Sequence, residues 1–143
     1  MTTRPTLLAE LQTAIEARLT GDVTLMALIN GVFDLDSVPT NQPIDYITYD
    51  TPTDVPLPTF GHLNSDATIV LSIWTLKHDL GRAILAEVIR LLNVVPPSGA
   101  APLVMPDYGQ ARMWCEHVTS MYVTDTRYWH TIAQFRSQAF ELV

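Results

Sequence analysis

The stretch that most constrains the fold runs from Ile69 to Phe140, because its hydrophobic periodicity changes along the way. In the strand that opens it, Asp66–Thr75, alternation predicts two faces, one with Ala67, Ile69, Leu71 and Ile73 and the other with Thr68, Val70, Ser72 and Trp74. Because Trp74 is on the second face, we expect that face to be partly covered as well. The helix that follows, Leu80–Leu92, carries its large apolar residues on one side only. Since such a helix buries its apolar stripe on a neighbouring sheet, we expect an α+β packing here.

A long hairpin closes the same stretch, after a proline-rich bridge over Pro96–Pro106. Ala111–Thr124 alternates as a strand, Asp125-Thr126-Arg127 makes the turn, and Tyr128–Phe140 returns antiparallel. By simple alternation, one face of the first strand is predicted to carry Met113, Cys115, Met121 and Val123.

The N-terminal part predicts a pair of helices within residues 5–30, separated at Gly21, with Asp22 as the cap of the second helix. Beyond them, prolines exclude a helix and any central strand, because each removes a backbone donor; they are Pro39, Pro43, Pro52, Pro56 and Pro58. The one strand-like run is Tyr46–Tyr49. We therefore expect that strand and then a long exposed loop over residues 50–64.

These elements predict an α+β fold: a small, mostly antiparallel sheet of about four strands packed against an amphipathic helix, with an N-terminal helix pair. The sequence has 143 residues, which suffice for one core and are too few for two domains. We expect a single domain over residues 1–143, with the strand and helix at 66–92 and the hairpin at 111–140.

Charge limits the function classes. The net charge is −7, and charged residues make up only 16% of the chain. This composition fits either a protein with little surface charge or a subunit that buries surface against neighbours. No Lys or Arg occurs between Arg18 and Lys77, a window that holds Asp22, Asp34, Asp36, Asp45, Asp50, Asp54 and Asp66. Such a segment disfavours nucleic-acid binding, and most of its aspartates fit turns and helix caps.

Catalytic chemistry has little support in the sequence. The nucleophile and ligand candidates are Cys115, His62, His78, His117 and His130. They show no metal-ligand spacing, Cys115 and His117 are expected merely to share a strand face, and no phosphate-binding glycine motif occurs. We expect no catalytic residue, metal or cofactor. A lone cysteine, no signal peptide and no apolar run near the ~20 residues of a membrane span predict a soluble protein made in a cytoplasm.

Four segments carry a family resemblance: the helix pair Leu8–Ile29, the run from Gly31-Val32-Phe33-Asp34 to Tyr46–Tyr49, the strand and helix Leu71–Leu92, and the hairpin end Asp125–Arg136. In this order they resemble the tail completion proteins of long-tailed bacteriophages. The chain departs from the pattern by extra prolines at Pro52–Pro58 and by a longer bridge at Ala100–Gly109.

The resemblance implies a structural virion protein that caps the head-proximal end of the tail tube as an oligomeric ring, a hexamer, and joins tail to head. It implies the tail tube protein and head–tail connector proteins as partners, DNA passing through the ring without sequence-specific binding, and no membrane. Its place would be the virion neck, and the host cytoplasm during assembly. The alternatives are a head-side neck adaptor or a tail assembly factor, and a small metal- or cysteine-dependent enzyme.

The candidate interface is the segment from residue 50 to residue 60, because it is rigid and apolar where a plain loop would be polar. Its candidate contact residues are Asp50, Asp54, Pro56, Leu57, Pro58 and Phe60. The bridge Pro96–Pro106 and the segment after Phe135 are further candidates for contacts. For each, the alternative is an ordinary solvent loop or part of the core.

Overall fold

A mixed sheet of eight strands is the centre of the protein in the computed structural model, which describes residues 7–50, 53–59 and 62–142. Its strands are β1 (Val32–Asp34), β2 (Tyr46–Tyr49), β3 (Thr53–Thr59), β4 (His62–Thr75), β5 (Val94–Val95), β6 (Ser98–Gly99), β7 (Tyr108–Val123) and β8 (Tyr128–Glu141). The main order is β1-β2-β4-β8-β7-β5-β6, and β3 pairs with β4. The β1–β2 pair is parallel, whereas the pairs along β4, β7 and β8 are antiparallel.

The helices are α1 (Leu7–Thr20), α2 (Val23–Met26) and α3 (His78–Leu92), and a 3-10 turn covers Leu35–Ser37. Asp22 caps α2 as predicted, since its Oδ2 accepts a hydrogen bond of 2.9 Å from the Leu25 N–H. The apolar stripes of α1 and α3 pack on the same face of the sheet and form one core with it.

The core face of the sheet comes from alternate residues of β4 and β8. Ile69, Leu71 and Ile73 of β4 are buried, and so are Ala133 and Phe135 of β8. Helix α3 approaches this face closely at a glycine: a Cβ on Gly81 would lie 3.1 Å from Thr75 Oγ1 and 3.3 Å from Thr131 Oγ1. The predicted packing of an amphipathic helix on the sheet is therefore observed.

The opposite face of the sheet is half-buried by its own side chains. The Trp74 ring stacks on His130 with centroids 3.7 Å apart, and Trp74 Nε1 donates to Thr48 Oγ1 at 3.2 Å. Arg136 pairs with Asp66 on the same face. Cross-strand contacts of this kind partly cover Trp74, as its position on the second face of the strand predicted.

The prediction of about four strands understates the sheet. Three of the additional strands are very short: β1 has 3 residues, and β5 and β6 have 2 each. Runs of that length show no alternation that a sequence pattern could reveal. The fold class, α+β with a largely antiparallel sheet, agrees with the prediction.

The expected loop over residues 50–64 is instead largely extended chain, because β3 covers Thr53–Thr59 and β4 already begins at His62. Pro56 pairs with Ser65 and Pro58 with Leu63. Residues two apart in a strand direct their backbone N–H groups to the same edge. The N–H positions that Pro56 and Pro58 leave empty can therefore both lie on the edge that faces away from β4. The prolines thus exclude a central strand, as predicted, but they permit this edge strand.

The prediction that Met113, Cys115, Met121 and Val123 share a face is wrong. The β7–β8 register shifts between Cys115 and His117, so that Cys115 lies opposite Phe135 but Met121 lies opposite His130. A bulge of this kind inserts one residue and exchanges the two faces of the strand beyond it. For the same reason Cys115 and His117 do not share a face.

Candidate interaction surfaces

Five of the six predicted interface residues lie between the end of β2 and the end of β3. Asp50 follows β2 and is held to the body of the protein: its N–H donates to the Val70 carbonyl at 3.0 Å, and its carbonyl accepts from Gln12 Nε2 at 3.3 Å. Four of the others lie on β3, namely Asp54, Pro56, Leu57 and Pro58. Phe60 lies outside the described residues. Their role in contacts remains a prediction.

The upper half of the β7–β8 hairpin, residues 116–130, is called the hairpin arm here. Its β8 side pairs with β4 as far as Thr75 opposite Trp129, so the part that lies past β4 is the turn and the Val123–Tyr128 pair. Val118, Met121 and Tyr122 are large apolar side chains exposed on it. Strand β5 pairs with β7 only at Met113, so within the described part of the chain the outer edge of β7 has no partner strand beyond that residue. A free edge with exposed apolar side chains is a surface on which another chain can pair.

The arm tip, residues 124–127, carries opposite charges on Asp125 and Arg127. The Arg127 N–H closes the turn by donating to the Val123 carbonyl at 2.7 Å, and Arg127 has a φ of 60°. This left-handed conformation costs a non-glycine residue about 1–2 kcal/mol. Among the described residues, the exposed Arg127 side chain has no hydrogen bond, ion pair or ring contact.

Aromatic rings hold the arm directly below its tip. Trp129 stacks on His78 with centroids 4.1 Å apart, and Tyr122 meets Trp129 edge-on at 5.4 Å. On the other face of the sheet, the stack of Trp74 on His130 also holds the arm to β4. Burial lowers the pKa of His130, and nearby Asp50 opposes that shift. The His130 ring is therefore neutral at physiological pH and acts as a packing surface.

At the other end of the hairpin, a groove of about 350 Å³ runs between α1 and the bridge. We call it the α1 groove; it is lined by Ala9, Glu10, Thr13, Ala14, Ala17, Val104 and Pro106. Small side chains on the α1 side leave it open, and Val104 on the bridge side is 88% exposed. Its wall is mostly apolar, which favours an apolar occupant.

Glu10 is the one acidic residue that lines the α1 groove, and it is only 7% exposed. Its Oε1 accepts a hydrogen bond of 2.7 Å from the Asp107 N–H. Its Oε2 is buried and has no hydrogen-bond partner among the described residues. A buried carboxylate oxygen without a partner is costly, so this atom needs an explanation. The sequence indicates that Glu10 is buried, because it follows Leu7 by three residues and so lies on the apolar stripe of α1.

The bridge is fixed to the helices by Arg18. Its guanidinium donates to the carbonyls of Leu91, Ala101 and Pro102. Beyond that anchor, Leu103 and Met105 point into the core whereas Val104 points out. The bridge is thus a structured wall of the α1 groove. The role of the bridge in contacts remains a prediction.

A charge cluster lies on the outer face of the sheet, around Arg136. The guanidinium pairs with Asp66 and, at 3.3 Å, with Glu116. Arg136 lowers the pKa of Asp66, and these carboxylates raise the pKa of Arg136. Next to it, Arg112 lies over the Trp114 ring at 4.3 Å. These charges are mutually satisfied, so the cluster stabilises the sheet.

The Cys115–His117 pair cannot act as a catalytic dyad in this arrangement. The two side chains lie on opposite faces of β7, and burial raises the pKa of the Cys115 thiol, which keeps it protonated. In the described ranges, no group of three or more His, Cys, Asp or Glu could hold a metal ion. Over those same ranges, no helix has the length and apolarity needed to span a membrane.

Comparison with known proteins gives two findings. The family model of "Tail completion protein gp17" matches residues 13–137. Among solved structures, a chain of the "Virion of native gene transfer agent (GTA) particle" superposes with a TM-score of 0.81 at 20% sequence identity, covering 96% of this chain and 100% of that one. No curated protein matches the chain significantly. The structural likeness shows a shared fold, and the family match spans most of the sheet and all of α3.

Proposed function

The chain belongs to the tail completion protein family, and from that membership we propose that it caps the head-proximal end of a phage tail tube as a hexameric ring and joins the tail to the head. Membership makes it a structural protein of the phage virion tail. The ring and the joining role are the proposal. The single observation that carries it is the family match over residues 13–137, which includes the hairpin arm and most of α1.

The geometry supports a ring subunit. A closed ring of identical subunits requires two different surfaces on each subunit, because the contacts are heterologous. The hairpin arm and the α1 groove are two such surfaces, one convex and one concave. Neither has the ligand set or the paired acid and base that would favour a catalytic role.

We further propose that the β3 segment contacts the tube or a connector protein. The residues that carry this proposal are Asp50, Asp54, Pro56, Leu57, Pro58 and Phe60. As an edge strand with two prolines, β3 is protected against backbone pairing, so a partner would meet its side chains. Leu57→Ser is expected to lower the yield of joined particles; Val23→Ser, at an exposed site on α2, is the matched control. Equal yields would remove β3 from the interface.

The acidic surface bears on DNA passage. Asp22 caps α2, Asp34 accepts from the Asp36 N–H, and Asp45 accepts from the Leu76 N–H, so these three have local structural roles. Asp50 and Asp54 are the ones we place toward the DNA path, where negative charge keeps DNA from adhering. Lysine at both positions is expected to reduce DNA delivery. Unchanged delivery and particle yield would place these residues elsewhere.

The experiment that tests the proposed function is electron microscopy of a lysate in which the encoding phage carries a stop codon at Trp74. We expect filled heads beside separate tails, from loss of joining, and tubes of excess length, from loss of the cap. An intact copy of the gene supplied in trans is the control and should restore particles. Normal infectious particles without the protein would contradict both roles.

A further inference from the structure

Among the described residues, two surface features each hold a charged group without a partner. One is the α1 groove, where Glu10 Oε2 is buried without a partner. The other is the arm tip, where the Arg127 guanidinium has no partner among the described residues. A carboxylate that lacks a donor and a guanidinium that lacks an acceptor are complementary, and their pairing would give a charge-assisted hydrogen bond.

The apolar surroundings of the two groups also match. The groove is walled by alanines, Val104 and Pro106, and its volume of about 350 Å³ suits a few side chains. Of the exposed apolar residues of the arm, Tyr122 and Met121 lie two and three residues before the tip. Insertion of the tip would bury apolar area on both sides, which favours association.

The two features cannot meet within one chain. Asp107, whose N–H binds Glu10, immediately precedes β7, and the arm tip immediately follows it. Strand β7 has 16 residues, which at about 3.3 Å each span roughly 50 Å. Strand β8 pairs with β4 as far as Thr75, so the hairpin cannot fold back on itself. Only a second copy can bring an arm tip to the groove.

The backbone of the tip supports a role for the Arg127 side chain. A left-handed residue at the end of a hairpin turn is most easily glycine or asparagine, yet arginine occupies it here. Strain held at one exposed residue favours a function for its side chain. Lys77 is the other described basic residue without a side-chain partner, but it lies at the start of α3, off the arm.

From these observations we infer that the arm tip of one copy inserts into the α1 groove of the next copy, where Arg127 binds Glu10. The contact is head to tail, and repetition of it closes a ring when the rotation per subunit permits. The inference rests on the proposed function, since it supplies the contact between neighbouring subunits of the proposed ring. Asp125 lies on the same tip and is negatively charged like Glu10. In this contact its side chain therefore points away from the Glu10 carboxylate.

The test places a thiol on each side of the contact. In a Cys115→Ser background, Thr126→Cys lies on the arm tip and Thr13→Cys in the groove; both sites are exposed. The double variant is supplied to the phage that carries the stop codon, and purified particles are treated with a short thiol-to-thiol linker. We expect a ladder of cross-linked copies on a denaturing gel, and only dimers or none from either single variant. Ala17→Cys replaces Thr13→Cys should the first pair fold poorly.

Two charge variants sharpen the test. Added to the double variant, Arg127→Ala is expected to lower the yield of cross-linked copies several-fold, whereas Asp125→Ala leaves it unchanged or raises it. The opposite order would overturn the assignment of Arg127.

The outcomes separate the inference from the proposed function. Particles that contain the protein at its normal level but give no ladder overturn the arm contact and leave the proposed function standing. A link from the Thr13→Cys groove to a different virion protein also overturns the arm contact. Particles that lack the protein altogether contradict the proposed function itself.

Discussion

The two halves of the β7–β8 hairpin differ in what surrounds them. In the lower half, Met113 and Phe135 are fully buried between the sheet and the helices. In the upper half, past the shift at Cys115, the side chains of residues 116–122 are exposed on both faces. One pair of strands therefore meets two environments: its lower half is buried within the chain, whereas the β7 side of its upper half exposes Val118, Met121 and Tyr122.

Substitution of buried apolar residues should give the largest difference between the halves. Phe135→Ala removes a fully buried ring and is expected to lower the free energy of unfolding by about 3–5 kcal/mol. Met121→Ala in the arm should change it by less than about 0.5 kcal/mol. Urea denaturation of both variants measures this. Equal losses would mean that the arm packs within the chain.

The Asp66–Arg136 pair should give an effect of intermediate size. Asp66 is 11% exposed and Arg136 41%, so Asp66→Asn is expected to cost about 1 kcal/mol at neutral pH. Because the pKa of Asp66 is lowered in the folded state, this stabilisation is present above its ordinary value of 3.8 and is lost as the pH falls through the folded pKa.

Thermal unfolding of the wild type and of Asp66→Asn from pH 7 to pH 2.5 checks this. Glu116→Gln is the control, because Glu116 pairs with the same Arg136 guanidinium more weakly. The two curves should converge in acid. A constant difference would mean that Asp66 contributes by packing and not by charge.

At the arm tip, stability and assembly should change in opposite directions. Arg127→Gly relieves the left-handed strain and is expected to raise the free energy of unfolding by up to about 1 kcal/mol. The same variant should yield fewer joined particles, because the guanidinium is gone. Thermal unfolding and plaque counts measure the two effects, with Thr126→Gly as the matched control. A loss of stability would show that Arg127 is held within its own chain.

The smallest effect is expected at His130. Its pKa is lowered by burial in the folded state, so protonation below the ordinary value of 6.5 favours the unfolded chain. The wild type should lose stability as the pH falls from 7 to 5, by less than about 1 kcal/mol. His130→Phe keeps the stack on Trp74 and should flatten that slope, which differential scanning calorimetry can follow. An unchanged slope would mean that groups other than His130 cause the loss of stability.

The sequence predicts the lower half of the hairpin better than the upper half, for a physical reason. Alternation in β4 and the apolar stripe of α3 report burial within the chain, and both elements are where the pattern places them. The bulge after Cys115 leaves no trace in hydrophobicity, so alternation alone assigned Met121 to the wrong face. The sequence pattern did not predict edge strand β3, because proline density alone does not distinguish an edge strand from a loop.

The α1 groove and the arm tip could be predicted only in part. Glu10 on the apolar stripe of α1 is an irregularity that sequence can show. That its Oε2 lacks a partner depends on where the bridge runs, which Arg18 and Leu103 determine through tertiary contacts. Likewise, Val118 and Tyr122 lie on a free strand edge because β5 pairs with β7 only at Met113, and no local pattern encodes that.

The most direct test of the account shortens the arm without disturbing the body. Tyr122 pairs with Trp129, so residues 123–128 can be replaced by Asn-Gly, which favours a two-residue hairpin turn. The variant is purified for thermal unfolding and supplied to the phage that carries the stop codon. We predict a melting temperature within a few degrees of the wild type and a near-complete loss of joined particles. Full restoration of particles by the shortened protein would contradict the claim that the arm exists for a neighbouring subunit.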